Sequence, residues 1–512
     1  MINNSSRSRN VGINVVAGFA SQILILLLAF IGRTIFLRYL SVDYLGVNGL
    51  YNNVLSVLSL AELGIGNVMA FSLYKPVADK DEDAIAALQH YFKKLYNYIA
   101  ISIAIIGLLL IPFLKYIIES ELPQQDLINY YLFFLFNSVA SYFVAHKTAC
   151  ITAHQDLYVI KKINVITSLM SLVLQISVLV IFRNYYAYIL ISVFITLLNN
   201  CLIDRAANTR YPYINKDIKT AIPKDLIKQN VKATFVYKIG TTIVNSTDNI
   251  LISAMIGTAW VGYYSNYYMV VTAVQSYLGI IITSLIPSIG NLNYEENMEK
   301  PKEVFFFLIL FFHWCAAFCS ISFFLLFGDL ISIWLGPKYV LEPIVVFAIA
   351  FNFYISNVAN PVWMFRETMG LFTKVKYLLL STAIVNLVLS IVLGKLLGIA
   401  GILLATAASR MLTHIWYEPK ILFHEKLGGG LRRYWGTQFK YLALTIISFA
   451  ICYWLSLLLP HTIRTMVAKG LIYMAVTIIV FICGSFRSQE FSQLLGYAKI
   501  FIMRIQKRCS EN

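Results

Sequence analysis

The chain has 512 residues, of which 59% are hydrophobic and 13% are charged, and its mean hydropathy is +0.71. Soluble globular domains carry about 25% charged residues, so this composition excludes a soluble enzyme and indicates a multi-pass membrane protein. The 41 Lys and Arg outnumber the 25 Asp and Glu, which gives a formal net charge of +16.

Apolar runs separated by polar breaks predict about fourteen membrane-spanning helices. The predicted spans lie near 12–38, 46–73, 91–118, 127–149, 162–183, 186–204, 233–256, 261–289, 303–327, 343–366, 375–397, 399–420, 439–459 and 467–486. At about 20 residues for each span, they leave no room for a soluble domain. The predicted fold class is an all-α integral membrane protein.

Lys and Arg are distributed unequally between the two sets of connecting segments. Of the 41, 33 lie in or beside the segments that share a side with both termini, and eight lie on the other side. The positive-inside rule therefore predicts that both termini are cytoplasmic. Orientation and attraction to anionic lipid headgroups account for the basic charge, so no nucleic acid partner is expected.

The predicted outward connections are short, and the longest covers about fifteen residues at 328–342. Membrane enzymes that act on the outer face normally need a larger loop there to carry catalytic groups. No GxxxxGK[ST] sequence indicates a nucleotide-binding unit, and the seven cysteines form no CxxC pair that would suggest a metal. The sequence therefore predicts a gradient-driven transporter with no catalytic residue, cofactor or metal.

The segments around residues 39–58 and 254–274 can be aligned at an offset of 216, which places Gly46 on Gly262. This overlay gives three identities, and the alternative explanation is a shared use of Gly and Tyr in short hairpins. The offset equals six spans, which favours parallel repeats of the kind found in alternating-access transporters.

The repeat predicts two six-helix lobes around a central cavity, followed by two more helices. The predicted domains are an N-terminal lobe at 1–204, a basic cytoplasmic linker at 205–232, a C-terminal lobe at 233–423, and helices 13 and 14 with a basic tail at 424–512.

Charged residues at membrane depth are functional candidates, because their burial is costly unless they face a cavity or a partner. Asp248 in span 7 and Arg410 in span 12 are placed near the midplane. Either they form a structural ion pair, or Arg410 meets an anionic substrate group while Asp248 balances it or takes up a proton. Glu62 in span 2 is either a second coupling acid or an acid that is hydrogen-bonded to its neighbours.

Three further basic residues are candidates for a cationic cavity. Lys238 lies one turn inside span 7 and has snorkelling to the cytoplasmic surface as its alternative. Arg33 lies near the outer end of span 1, and His414 follows Arg410 by one turn on the same helix face. Arg366 and Glu367 at the end of span 10 are interpreted as a local pair or an interface anchor.

Pro112, Pro287 and Pro361 interrupt predicted spans. Proline removes a backbone donor and kinks a helix. These positions are therefore candidate hinges, with static kinks as the alternative.

Three segments resemble a known family. Gly49 to Asp81 resembles the second helix and following loop of the bacterial polysaccharide-transporter family, Lys238 to Ser253 its seventh helix, and Ala405 to Pro419 its twelfth. The family lies in the superfamily that also holds the multidrug and toxin extrusion transporters.

The resemblance implies a flippase of the bacterial cytoplasmic membrane that works by alternating access. Its substrate would be an oligosaccharide repeat unit on undecaprenyl pyrophosphate, destined for O-antigen (lipopolysaccharide), capsule or exopolysaccharide. A coupling ion, H⁺ or Na⁺, and the polysaccharide polymerase are the implied partners. By position, the residues expected to matter are Lys238, Asp248, Arg410 and Glu62.

The chemistry of Arg410 agrees with this implied substrate, because a planar guanidinium suits the oxygens of a diphosphate. A multidrug exporter is the main alternative, and the intramembrane Arg and Lys count against it, because such an exporter would favour an acidic cavity for cationic drugs. A membrane enzyme such as a polymerase is disfavoured by the short outer connections.

Overall fold

The computed structural model of the chain describes residues 23, 26–59, 65–154, 156–216, 224–292, 299–371, 374–460, 462–488 and 490–492. Helices account for nearly all of this part of the chain, and it contains no β-strand. The prediction of an all-α fold is confirmed.

Several of the helices are suited to a membrane. Nine helices in the described ranges are long and apolar enough to cross a bilayer, and a tenth arises if Gln124–Tyr142 and Ala145–Ala153, bent by 41°, form one span. The multi-pass membrane architecture is therefore confirmed. The number fourteen stays a prediction, since parts of the first two predicted spans lie outside the described residues.

The chain divides into two compact units, Met1–Ser265 and Asn266–Asn512. Within the described residues, the helices that begin in the first unit are α1 (26–39), α2 (Val42–Leu58), α3 (Ile65–Asp79), α4 (Glu82–Leu110), α5 (Leu114–Ile117), α6 (Gln124–Tyr142), α7 (Ala145–Ala153), α8 (Leu157–Phe182), α9 (Tyr185–Arg210), α10 (Lys224–Met255) and α11 (Thr258–Leu292). Because α10 packs against α2 and α3, it belongs to the first unit. The predicted lobe boundaries stay a prediction.

The described helices that begin in the second unit are α12 (Glu299–Trp334), α13 (Pro343–Val358), α14 (Asn360–Thr368), α15 (Lys376–Leu412), α16 (His414–Glu425), α17 (Leu431–Leu457) and α18 (Ile463–Ser485). A core rich in phenylalanine joins α12, α14 and α16. Phe305 lies at its centre, with ring centroids 5.1 Å from Phe365 and 5.4 Å from Phe423. Aromatic burial of this kind fixes the short helices on the long one.

The first part of the predicted cytoplasmic linker is folded. After α9, a 3₁₀ turn at Pro212–Asn215 packs against α4 and α9. The imidazole Nε2 of His154 hydrogen-bonds with the hydroxyl of Tyr213 at 2.8 Å, and the hydroxyl of Tyr211 donates to Asp156 at 2.6 Å. These bonds hold the segment on the first unit.

The three prolines that are predicted as hinges lie in different backbone conformations. Pro112 lies in a 3₁₀ turn, Ile111–Phe113, that separates α4 from α5. Pro361 lies in the first turn of α14, just after the break at Ala359. The helix α11 continues through Pro287 without interruption. A hinge role for any of the three stays a prediction.

A glycine breaks α15 in its middle. Gly398 has φ 59° and ψ −138°, in the left-handed region that glycine adopts most readily. A Cβ on Gly401 would lie only 1.9 Å from the carbonyl oxygen of Leu393, so the backbones on the two sides of the break are in close contact. The break coincides with the outward turn predicted at 398.

The two glycines that the repeat aligns lie at one close helix contact in the first unit. A Cβ on Gly46 of α2 would lie 1.9 Å from the carbonyl oxygen of Thr258 at the start of α11. A Cβ on Gly262 would lie 2.3 Å from the carbonyl oxygen of Val42. In membranes, small residues of this kind let helix backbones approach closely, so the α2–α11 packing requires glycine at both positions.

A buried ion pair joins α18 to α12. The ammonium Nζ of Lys469, whose side chain is 1% exposed, lies 3.3 Å from Asp329. We expect Lys469→Met to lower the free energy of unfolding by about 3–5 kcal/mol, because it leaves a carboxylate without this cation in a buried setting. Thermal unfolding of the purified protein in detergent would measure the loss. Arg464→Met, at an exposed position of the same helix, is the control, and equal midpoints for both variants would contradict the expectation.

Candidate functional site

Two of the predicted site residues lie on α10. Asp248 is half-buried and follows two buried hydroxyl residues, Ser246 and Thr247. Lys238 lies on the same helix, ten residues earlier, which is about 15 Å along the axis. The side chain of Lys238 and the whole of Glu62 lie outside the described residues.

Arg33 is fixed between two helices of the first unit. Its Nη1 donates to the hydroxyl of Ser265 at 2.9 Å, and that hydroxyl donates in turn to the carbonyl of Gly262 at 2.8 Å. The guanidinium also lies within electrostatic range of the Tyr188 hydroxyl. The serine therefore holds a cation on α1 at the α2–α11 contact.

Arg410 occupies the last turn of α15 and is half-buried. Its Nη1 donates to the hydroxyl of Ser356 on α13. The preceding turn of α15 is also polar, since Thr406 accepts a 2.9 Å hydrogen bond from Asn386 and Ser409 is fully buried. Arg410 is thus bonded to a hydroxyl of α13 and follows a turn of α15 that carries hydroxyl side chains.

His414 belongs to a separate, charged network. Its Nδ1 hydrogen-bonds at 2.7 Å with the Oε1 atom of Glu418 on the same helix. That oxygen also accepts from Nη1 of Arg366 on α14, whose Nη2 donates to Glu367 at 2.6 Å. The expected Arg366–Glu367 pair is present. Glu418 was not predicted, although its position four residues after His414 is the spacing of a helical side-chain pair.

Arg410 and His414 lie on either side of a helix break and have different hydrogen-bond partners. A break at Thr413, with φ −122° and ψ −77°, separates α15 from α16. Arg410 donates to Ser356 on α13, and His414 bonds to Glu418 in the network of α14 and α16. Asp248 belongs to the first unit and Arg410 to the second. The cavity roles of Arg410, Lys238, Arg33 and His414 and the coupling roles of Asp248 and Glu62 stay predictions.

A lysine network in the first unit was also missed. Nζ of Lys147 forms an ion pair with Asp204 and donates to Asn208 at 2.8 Å. From the sequence alone, Lys147 indicates only the orientation of the chain in the membrane. Its partners lie 57 and 61 residues further along the chain, so no local pattern reveals the network. Within the described ranges, no cluster of three or more His, Cys, Asp or Glu could hold a metal ion.

The fold is shared with known membrane transporters. The lipid II flippase MurJ, in an inward closed conformation, superposes with a TM-score of 0.69 at 11% identity, over 94% of this chain and 100% of that one. An inward-facing multidrug resistance transporter of the MATE family gives 0.53 at 12% identity, over 78% and 94%. The MATE multidrug transporter DinF-BH gives 0.53 at 16% identity, over 82% and 95%.

The sequence was also compared with known proteins and with protein families. No curated protein matches the chain. The model for polysaccharide biosynthesis proteins, in contrast, matches residues 11–293. This match confirms the resemblance to a polysaccharide-transporting family, and since it covers more than half of the sequence, the chain belongs to the family of polysaccharide biosynthesis proteins.

Proposed function

We propose that the chain is a flippase that moves undecaprenyl-pyrophosphate-linked oligosaccharide repeat units across the bacterial cytoplasmic membrane by alternating access. The products would serve O-antigen, capsule or exopolysaccharide synthesis. The proposal is carried by one observation: the chain belongs to a polysaccharide biosynthesis family, and nine of its described helices are long and apolar enough to cross a membrane. A fold shared with a lipid II flippase over 94% of the chain supports it.

The intramembrane guanidinium groups supply the chemistry that this substrate needs. Arg33 and Arg410 each donate to a serine hydroxyl. A guanidinium is permanently charged and presents a planar fork of donors, and charge-assisted bonds to phosphate are among the strongest hydrogen bonds in proteins. In the proposed cavity these groups, with Lys238 and His414, bind the diphosphate, while Asp248 and Glu62 serve a coupling ion, H⁺ or Na⁺.

We also propose an orientation in the membrane and partners on each side of it. Both termini face the cytoplasm, and anionic lipids contact the basic inner surface. The polysaccharide polymerase receives the translocated unit on the outer face. Pro112, Pro287 and Pro361 are the positions at which spans bend during the cycle.

The test is translocation by the purified protein. Proteoliposomes would carry a fluorescent undecaprenyl-pyrophosphate oligosaccharide in the inner leaflet, and a glycan-cleaving enzyme would be added outside. We expect the active protein to expose the label to cleavage, whereas vesicles with heat-inactivated protein keep it protected. Protected label with active protein would contradict the proposal.

A cation-coupled multidrug exporter is the second candidate, because two MATE transporters share the fold with TM-scores of 0.53. Accumulation of a cationic dye by the same vesicles, without cleavage of the glycan label, would favour it.

A further inference from the structure

A new helical turn begins shortly after α18. Residues 490–492 are helical. The backbone amide of Phe491 donates to the hydroxyl of Ser488 at 3.3 Å, and that of Ser492 donates to the carbonyl of Ser488 at 3.3 Å. Serine is favoured at the N-cap of a helix, because its side chain accepts such a bond from the first turn. A further helical segment therefore starts at Ser488, three residues after α18 ends at Ser485.

This turn is anchored on the second unit by an ion pair and by a buried ring. Glu490 is buried and accepts a 2.8 Å hydrogen bond from Nη2 of Arg433, in the first turn of α17. The guanidinium of Arg433 also lies over the ring of Phe306 on α12, 4.2 Å from its centroid. The ring of Phe491 is buried and lines a cavity of about 270 Å³, whose other lining residues belong to α12 and α18. The start of the segment is therefore fixed in place.

Residues 493–512 lie outside the described part of the chain, and their sequence has the pattern of a basic amphipathic helix. Apolar residues recur at the intervals of one helix face, at Leu494, Leu495, Ala498, Phe501, Ile502 and Ile505. With 3.6 residues per turn, they would share that face with Phe491. Residues 491–510 contain no Asp or Glu and four cations, which are Lys499, Arg504, Lys507 and Arg508. All four would fall outside the apolar face.

The position of the segment favours a membrane surface as its partner. The span formed by α18 is long and apolar enough to cross a bilayer, and it ends at Ser485. The segment therefore starts beside the bilayer surface, where acyl chains and headgroups are both within reach. Each Lys or Arg near an anionic leaflet strengthens binding by about fivefold. Four cations without an acid thus favour an anionic leaflet over a neutral one.

We propose that the segment from Ser488 to Arg508 is an interfacial helix that binds anionic phospholipid headgroups in the leaflet at which α18 ends. A basic amphipathic helix lies in the plane of the membrane, with its apolar face buried and its Lys and Arg at the headgroups. The exposed Phe486 and Arg487, just before the segment, present the same combination of apolar ring and cation. This lipid contact does not depend on whether the chain is a flippase.

The test places an environment-sensitive fluorophore on Ile502→Cys or Ile500→Cys in the full-length protein, after its seven native cysteines have been replaced. In a helix, position 502 lies on the apolar face and position 500 lies nearly opposite, whereas an extended chain would put both on one side. The vesicles contain phosphatidylcholine, alone or with an equal part of phosphatidylglycerol, and a nitroxide lipid as quencher. With phosphatidylglycerol, we expect strong quenching at 502 and little at 500.

Charge is tested by replacing Lys499, Arg504, Lys507 and Arg508 with Gln. The ratio of bound to free segment should fall by about fivefold for each cation, and quenching at 502 should no longer respond to phosphatidylglycerol. The control is Arg432→Gln, at an exposed position of α17, which should keep that response.

Three results would overturn the proposal. These are equal quenching at 500 and 502, quenching at 502 that is the same with and without phosphatidylglycerol, and a blue-shifted emission at 502 without quenching, which would mean that the segment packs on the protein. No transport is involved in the measurement. The expected contrast in a protein that moves no glycan would support the lipid site and refute only the proposed function.

Discussion

Arg410→Ala should lower the rate of oligosaccharide translocation by about a hundredfold, while the protein remains folded in the membrane. The guanidinium of Arg410 is held by the hydroxyl of Ser356 on α13, and alanine, the best helix former, preserves the last turn of α15 in which Arg410 lies. A charge-assisted contact to phosphate is worth up to about 3 kcal/mol, which corresponds to about a hundredfold. The vesicle assay with the labelled lipid-linked oligosaccharide measures the rate.

Arg410→Lys separates charge from geometry. Lysine keeps the positive charge but loses the planar fork that matches two phosphate oxygens, so we expect a loss of about tenfold, between that of the wild type and that of the alanine variant. Arg432→Ala, at an exposed position in the first turn of α17, is the control for an arginine lost elsewhere. Wild-type translocation by Arg410→Ala would remove this residue from the substrate site.

The local features of the fold could be predicted from the sequence, because they depend on chemistry within a few residues. Runs of apolar side chains predicted the long helices. The turn at 398 followed from the boundary between two such runs, and Gly398 adopts the left-handed conformation that ends one helix and begins the next. The break before α14 likewise coincides with Asn360-Pro361, since proline favours the first turn of a helix.

Helix register could not be predicted through a break. Arg410 and His414 are four residues apart and would share a face in a continuous helix. The backbone angles at Thr413 interrupt that helix. The hydrogen-bond partner of Arg410 is Ser356 on α13, and that of His414 is Glu418 on α16. A count of residues along one helix does not reveal these partners.

Partners distant in sequence were also missed. Arg366 and Glu418 are 52 residues apart, and hydropathy places both at helix ends without saying which ends meet. Arg366 was assigned to its neighbour Glu367, which is only one of its acceptors. The packing of α12 against α14, through Phe305 and Phe365, decides which charges come together, and such packing is a property of the folded chain.

Gly46→Ala should destabilise the protein, although alanine is the better helix former. In an exposed helix interior, Gly→Ala gains about 1 kcal/mol. At this position the new Cβ would lie 1.9 Å from the carbonyl oxygen of Thr258, so the backbones of α2 and α11 must move apart. Overpacking of this kind costs about 1–3 kcal/mol. We therefore expect a lower midpoint of thermal unfolding in detergent.

The matched control is Gly279→Ala, also on α11, where a Cβ would meet nothing within 4 Å. It should leave the midpoint unchanged or raise it. A direct readout of the separation is a disulfide between Gly49→Cys and Val261→Cys, because a Cβ at 49 would lie 3.2 Å from Cγ1 of Val261. A bridge needs the two Cβ atoms about 4 Å apart. The bridge should form with glycine at position 46 and fail with alanine there.

The second glycine of the pair tests whether the contact acts as one unit. Gly262→Ala should have the same effect as Gly46→Ala, since its Cβ would lie 2.3 Å from the carbonyl oxygen of Val42. Once either alanine has separated the helices, the other has room, so the double variant should cost less than the two single losses together. Additive losses would show that the glycines act at independent places, and a double variant that still forms the 49–261 bridge would contradict the close contact itself.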